Sequence, residues 1–187
     1  MEEDSLQRRG DALESAFFSK VDKELLDKMR ESVEKEEAGT RLRSSTGIKD
    51  DKLIEDLLVL GVTDATMSAL ALFPLVWVAW ADDRMESREK EAILKAAEQS
   101  NIDEGTPAMA LLNAWLSERP TEEVIEAWSD YAHHLKTIAT PETVERVKRT
   151  VVVRAQEVAE AAGGFMGVGT ISPKEQEVLE RLELAFR

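Results

Sequence analysis

The segment ALALFPLVWVAWA, residues 69–81, constrains the fold more than any other part of the chain. Its thirteen residues carry no charged side chain. A helix that spans a bilayer needs about 20 such residues, so this run is too short to cross a membrane. It must therefore be covered by protein, and it predicts a core helix. Pro74 lies inside the run and is expected to kink the helix or to split it in two.

Helix-start signals recur along the rest of the chain. Thr106-Pro107 and Thr140-Pro141 each place a capping side chain before a proline, and Ser172-Pro173-Lys174-Glu175 adds the glutamate of a capping box. The apolar residues that follow recur every three or four positions, which is the helical period. No segment predicts a strand. The fold class is therefore all-α, with a compact bundle of about seven helices over residues 48–187.

Three further helices are predicted before Thr106. Asp50 or Asp51 caps a short helix that ends before Gly61, and Thr63 or Asp64 caps the core helix. Residues 87–99 form the third helix, with apolar side chains on one face.

Residues 5–37 have a different pattern, in which apolar residues lie mostly four positions apart between charged ones. This narrow stripe predicts a long amphipathic helix, closed by Gly39 and the polar run 40–47. Residues 1–47 are thus interpreted as an N-terminal helical arm with a polar linker. The stripe finds no evident partner in the rest of the sequence, so the arm is expected to mediate docking or homo-oligomerisation.

Charge and composition limit the partners and the chemistry. Hydrophobic residues make up 43% of the chain, and the net charge is −14. No Lys/Arg cluster is suited to follow a phosphate backbone, so the chain is not expected to bind nucleic acid, and its acidity favours basic protein partners or divalent cations. The absence of cysteine excludes thiolate nucleophiles and zinc–thiolate sites. The polar, acidic N-terminus lacks a signal-peptide pattern, and a cytoplasmic location is expected.

Four carboxylates follow the apolar run directly: Asp82, Asp83, Glu86 and Glu89. In one interpretation the first three offset the free N–H groups of the next helix, and Glu89 is its capping-box glutamate. In the other they supply oxygen ligands to a weakly bound Ca²⁺ or other divalent cation. Their spacing is not that of an EF-hand. Both interpretations stay open from the sequence.

Other motifs offer fewer functional clues. His133 and His134 point about 100° apart on a helix, so they cannot coordinate one metal ion together. One of them is expected to pack against the protein, while the other faces solvent. The glycine-rich stretch 163–169 follows a helix rather than a strand and is interpreted as a hinge or interaction loop. The four tryptophans are expected in an aromatic core, with an exposed partner-binding patch as the alternative.

Residues 81–89 also carry a resemblance. ADDRMESRE is similar to the pattern A-D-G-x-I-x-x-x-E that opens a helix in the TerB-like, tellurite-resistance-associated family, with Asp83 in the glycine position. The segments 74–83, 114–120 and 158–179 resemble an uncharacterised bacterial subgroup of that family. The resemblance implies a compact helical fold, a bacterial stress-response association, and cation binding by the acidic residues beside the turn. Within the chain, residues 170–180 echo residues 84–94, although Val168 stands where Asp82 would fall.

Two function classes follow from these patterns. The first is a non-catalytic helical module for interaction or sensing in a bacterial stress response, with a weakly bound divalent cation under the second interpretation of the carboxylates. The second is a metal-dependent hydrolase that uses the acidic cluster 82–89 and a histidine. A catalytic metal site needs a mixed, convergent ligand set, and the sequence does not show one. The first class is therefore favoured, and the chain is not expected to be an enzyme.

Overall fold

The computed structural model describes the backbone of residues 2–162 and 171–187, and the side chains of residue 23, residues 25–161 and residues 171–187. This part of the chain is all-helical and contains no strand, as the sequence predicts. The helices are α1 (Glu2–Thr46), α2 (Asp51–Val59), α3 (Met67–Ala79), α4 (Ser87–Gln99), α5 (Pro107–Ser117), α6 (Glu122–Ile138), α7 (Pro141–Ala162) and α8 (Pro173–Ala185). None of them is long and apolar enough to cross a membrane.

The chain divides into two compact units, residues 1–40 and residues 41–187. The first unit consists of most of α1. The second contains the last turn of α1 and the seven helices that follow.

The end of α1 differs from the sequence prediction, since the helix continues past Gly39 to Thr46. A glycine inside a helix costs only about 1 kcal/mol relative to alanine, so it does not by itself end a helix. Leu42 is completely buried in the core, and Thr46 Oγ1 donates a hydrogen bond to its carbonyl at 2.6 Å. The helix stops at Gly47, whose φ of +77° is the left-handed conformation typical of a residue just after a helix. The predicted linker 40–47 is therefore helical over most of its length.

α3 is the predicted core helix, and it packs against α4, α5, α6, α7 and α8. Residues 72–79 are all buried. Pro74 does not split it, so the split predicted as one alternative is wrong. Proline removes one intrahelical hydrogen bond at a cost of about 3 kcal/mol, which burial of the surrounding apolar side chains offsets.

Local capping fixes the orientation of the other helices. Asp50 accepts a hydrogen bond from Leu53 N at 3.1 Å, and Thr106 accepts one from Met109 N at 3.2 Å. Ser172 accepts one from Glu175 N at 3.2 Å. The predicted starts of α2, α5 and α8 are thus confirmed. The start of α3 is later than predicted, because residues 63–66 form a turn and the helix begins at Met67.

Candidate functional site

The turn between α3 and α4 gives the four predicted carboxylates different partners rather than one shared site. Asp82 accepts a hydrogen bond from Arg84 N at 3.1 Å. Asp83 pairs with Arg119 and lies 3.5 Å from Lys174 Nζ. Glu86 stands at the N-cap of α4. Glu89 points back along the helix and accepts from Glu86 N at 2.8 Å, so its predicted capping role is confirmed.

Among the residues whose side chains are described, no three or more His, Asp or Glu groups come together as they would to hold a metal ion. All four predicted ligands belong to this part of the chain. The cation site therefore stays a prediction from the sequence, which metal titration has to decide.

Asp83 has a φ of +69°, in the left-handed region that glycine enters freely. Aspartate is one of the few other residues that tolerate it. This is the position at which the TerB-like pattern has glycine. The backbone conformation turns the chain from α3 into α4 and presents the carboxylate to the two cations.

Among the side chains that the structure describes, Glu89 is also one of two buried carboxyl groups. It is 3% exposed, and Glu175, the matching capping-box residue of α8, is 7% exposed and accepts from Ser172 N at 2.5 Å. Burial raises the pKa of Glu89 to about 7 from its ordinary 4.5, and the negative charges of Glu175, Glu86 and Asp82 raise it further, against the hydrogen bond from Glu86 N. The two halves of the internal echo thus start α4 and α8 with capping glutamates that act on each other.

A pocket of about 260 Å³ lies beside this turn. It is bounded by the C-terminal half of α3, the connection before α6, and the first turns of α6 and α8. Its apolar surface comes from Phe73, Trp77, Trp80, Ala81, Pro120, Ile125 and Val178, and its charged groups are Asp83, Arg119, Glu122, Lys174, Glu177 and Arg181. Three cations and three carboxylates give the lining no net charge, in a chain with a net charge of −14.

Ion pairs hold the rim of the pocket. Asp83 joins Arg119 of the connection to Lys174 of α8, and Arg181 lies 3.1 Å from Glu122 Oε1. The Arg181 guanidinium also stands 4.7 Å above the centre of the Trp77 ring. An aromatic face and a carboxylate together are a favourable site for a guanidinium.

The tryptophans mostly form core, as the first interpretation predicts. Trp77 and Trp115 pack on Phe73, with ring centroids 6.4 and 5.4 Å from it. Trp128 lies edge-on to Trp77 at 6.2 Å. Trp80 is half-buried and donates from Nε1 to the Trp115 carbonyl at 2.9 Å, leaving part of its ring on the pocket.

The two histidines lie on α6, and neither lines this pocket. His133 is exposed, while His134 is half-buried with Nδ1 3.5 Å from Thr137 Oγ1, which confirms the predicted division between them. The glycine-rich stretch 163–169 lies outside the described residues. The hydrolase hypothesis required acids and a histidine to share a pocket, and this one brings Asp83 together with cations instead.

Sequence reasoning missed Arg119, Lys174 and Arg181. They come from segments up to 62 positions apart, and no motif links them to Asp83. In comparisons with known proteins, the chain matches no family model, no curated protein and no solved structure. The resemblance to the TerB-like family therefore stays a prediction.

Proposed function

We propose that this chain is a non-catalytic helical interaction and sensing module whose pocket receives a basic side chain of a protein partner. The observation that carries the proposal is the position of Arg181, held between the Trp77 ring and the Glu122 carboxylate. The position of the chain's own arginine supports the view that this surface is suited to a guanidinium. A partner's arginine can use the same kind of contact.

Glu177 gives the incoming cation a carboxylate of its own. It lies in the lining, and it makes no ion pair or side-chain hydrogen bond with any residue in the described part of the chain. Asp83 and Glu122, in contrast, already have cationic partners. A cation placed beside Glu177 therefore gains an attraction without breaking an existing pair.

The charge of the whole chain supports the same partner. A net charge of −14 attracts basic proteins over several ångströms and speeds their association. The aromatic part of the pocket supplies the desolvated centre that interaction sites need, and the ion pairs supply a polar rim. The TerB-like resemblance supports placing this module in a bacterial stress response and in the cytoplasm.

Peptide titration tests the pocket. We expect the full-length protein to bind the capped peptide Gly-Arg-Gly-Arg-Gly, followed by tryptophan fluorescence, and to bind the matching Gly-Glu-Gly-Glu-Gly peptide more weakly. Glu177→Gln should weaken arginine-peptide binding about two- to fivefold, as expected for one exposed ion pair. Glu180→Gln makes the same charge change on α8 outside the pocket and should leave it unchanged. Equal loss in both variants, or tighter binding of the glutamate peptide, would count against the proposal.

A weak divalent-cation site at Asp82, Asp83, Glu86 and Glu89 is a separate part of the proposal. A cation that binds only the folded form stabilises it by about 2.7 kcal/mol at a hundredfold excess over Kd. Millimolar Ca²⁺ or Mn²⁺ should then raise the melting temperature above that in NaCl of matched ionic strength. Asp82→Asn combined with Glu89→Gln should remove the increase. Equal melting in both salts would contradict the cation site.

A further inference from the structure

A second surface of the molecule is independent of the pocket. It is an open groove of about 430 Å³ between α3 and α7. Leu72 and Leu75 of α3 form its floor, and Val147 and Val151 of α7 form one wall. Arg146 and Arg154 stand along the same wall.

The spacing of these residues fits a helix. On α7 the groove is lined at positions 146, 147, 150, 151 and 154, and on α3 at positions 68, 71, 72 and 75. The lining residues of both α3 and α7 recur in steps of three and four, and such residues form ridges between which a third helix can pack. Arg146 and Arg154 are eight residues apart, which is about 12 Å along a helix.

The first unit carries an exposed apolar helical face that is as long as the distance between Arg146 and Arg154. Leu25, Leu26, Met29 and Val33 of α1 are each 54–57% exposed. From Leu25 to Val33 is again eight residues, about 12 Å along the helix. Large apolar side chains exposed along one face mark an interaction surface.

The two surfaces also have opposite charge. The residues that line the groove include two basic side chains, Arg146 and Arg154, and no acidic one. Residues 25–37 of α1 contain five acidic and three basic residues. In a chain with a net charge of −14, the groove thus offers a local basic surface to an acidic helix.

We infer that the α3–α7 groove is the docking site for residues 25–37 of a second copy of this chain. The apolar face of the arm packs on Ala71 of α3 and on the α7 valines, and its acidic residues meet Arg146 and Arg154. Each copy contributes one arm and one groove, so two copies satisfy both surfaces as a closed dimer. The sequence predicts that the arm mediates association, and the groove is the binding site that we assign to it.

Sedimentation of the full-length protein over a range of concentrations tests this dimer with two pairs of variants. Arg146→Glu reverses a groove charge, while Arg149→Glu makes the same change at an exposed position of α7 outside the groove. Leu25→Asn with Met29→Gln removes apolar groups from the arm, while Glu31→Gln changes its opposite face. Wild type, Arg149→Glu and Glu31→Gln should form dimers. The groove variant and the arm variant should each raise the dimer dissociation constant at least tenfold.

Mixing the two defective proteins separates this arrangement from direct pairing of arms. The arm variant keeps an intact groove, and the groove variant keeps an intact arm, so the mixture should associate more strongly than either protein alone. A wild-type protein that stays monomeric at every concentration would overturn the inference. So would a groove variant that dimerises like wild type, because arm–arm pairing would then explain the dimer.

Discussion

Replacing Phe73 with alanine is expected to lower the free energy of unfolding of the second unit by about 3–5 kcal/mol. Phe73 is completely buried in α3 and packs between the Trp77 and Trp115 rings, at centroid distances of 6.4 and 5.4 Å. Alanine leaves a cavity where the ring stood, and the aromatic neighbours lose their packing contacts. The loss is a large share of the total stability of an ordinary domain.

Urea unfolding followed by tryptophan fluorescence measures this loss. All four tryptophans lie between residues 77 and 128, so the signal reports the second unit. Val59→Ala is the matched control, because this apolar side chain on α2 is 72% exposed and its truncation should change stability by less than about 0.5 kcal/mol. Phe73→Leu should fall between the two. An alanine variant as stable as the control would mean that the aromatic cluster is not the core.

The success of the sequence-based predictions depended on the range of the interactions involved. Helix starts at Thr106 and Ser172 were predictable, since a cap bonds a backbone group only three residues away. The core position of α3 was also predictable, because an uncharged run too short to span a bilayer is stable only when other parts of the protein cover it.

Features that depend on contacts between distant segments could not be predicted from the sequence. Gly39 was predicted to end the first helix, but α1 continues to Thr46 because Leu42 is buried in the core. The sequence placed the carboxylates beside α4 in one cluster, but Asp83 pairs with Arg119 and Lys174, which are distant in sequence, while Glu89 caps α4. No local pattern encodes such pairings.

Glu89 leads to the second prediction, a fall in stability as the pH rises. Its pKa in the folded protein is about 7, against an ordinary value of 4.5, so between these values the folded state holds a proton that the unfolded state has released. The stabilising contribution is complete below pH 4.5 and is lost as the pH rises through 7. A pKa difference of this size corresponds to about 3 kcal/mol.

The charged groups around Glu89 all raise its pKa. Glu175 approaches it from α8, and Glu86 and Asp82 approach it from the turn. α3 adds no charge, because none of its residues is ionisable. Ionising Glu89 therefore places a second buried negative charge near Glu175 with no cation among the groups that shift its pKa.

Glu89→Gln should remove this pH dependence. Glutamine is neutral at every pH, and its side-chain oxygen can still accept from Glu86 N at the start of α4. The variant should be more stable than wild type in urea unfolding by less than about 1 kcal/mol at pH 5 and by up to about 3 kcal/mol at pH 8. Glu91→Gln, at an exposed position of the same helix, should change stability by less than about 0.5 kcal/mol at both pH values. If wild type and Glu89→Gln differ by the same amount at pH 5 and pH 8, Glu89 does not hold a proton in the folded protein, and the charge of its carboxylate is tolerated in the core.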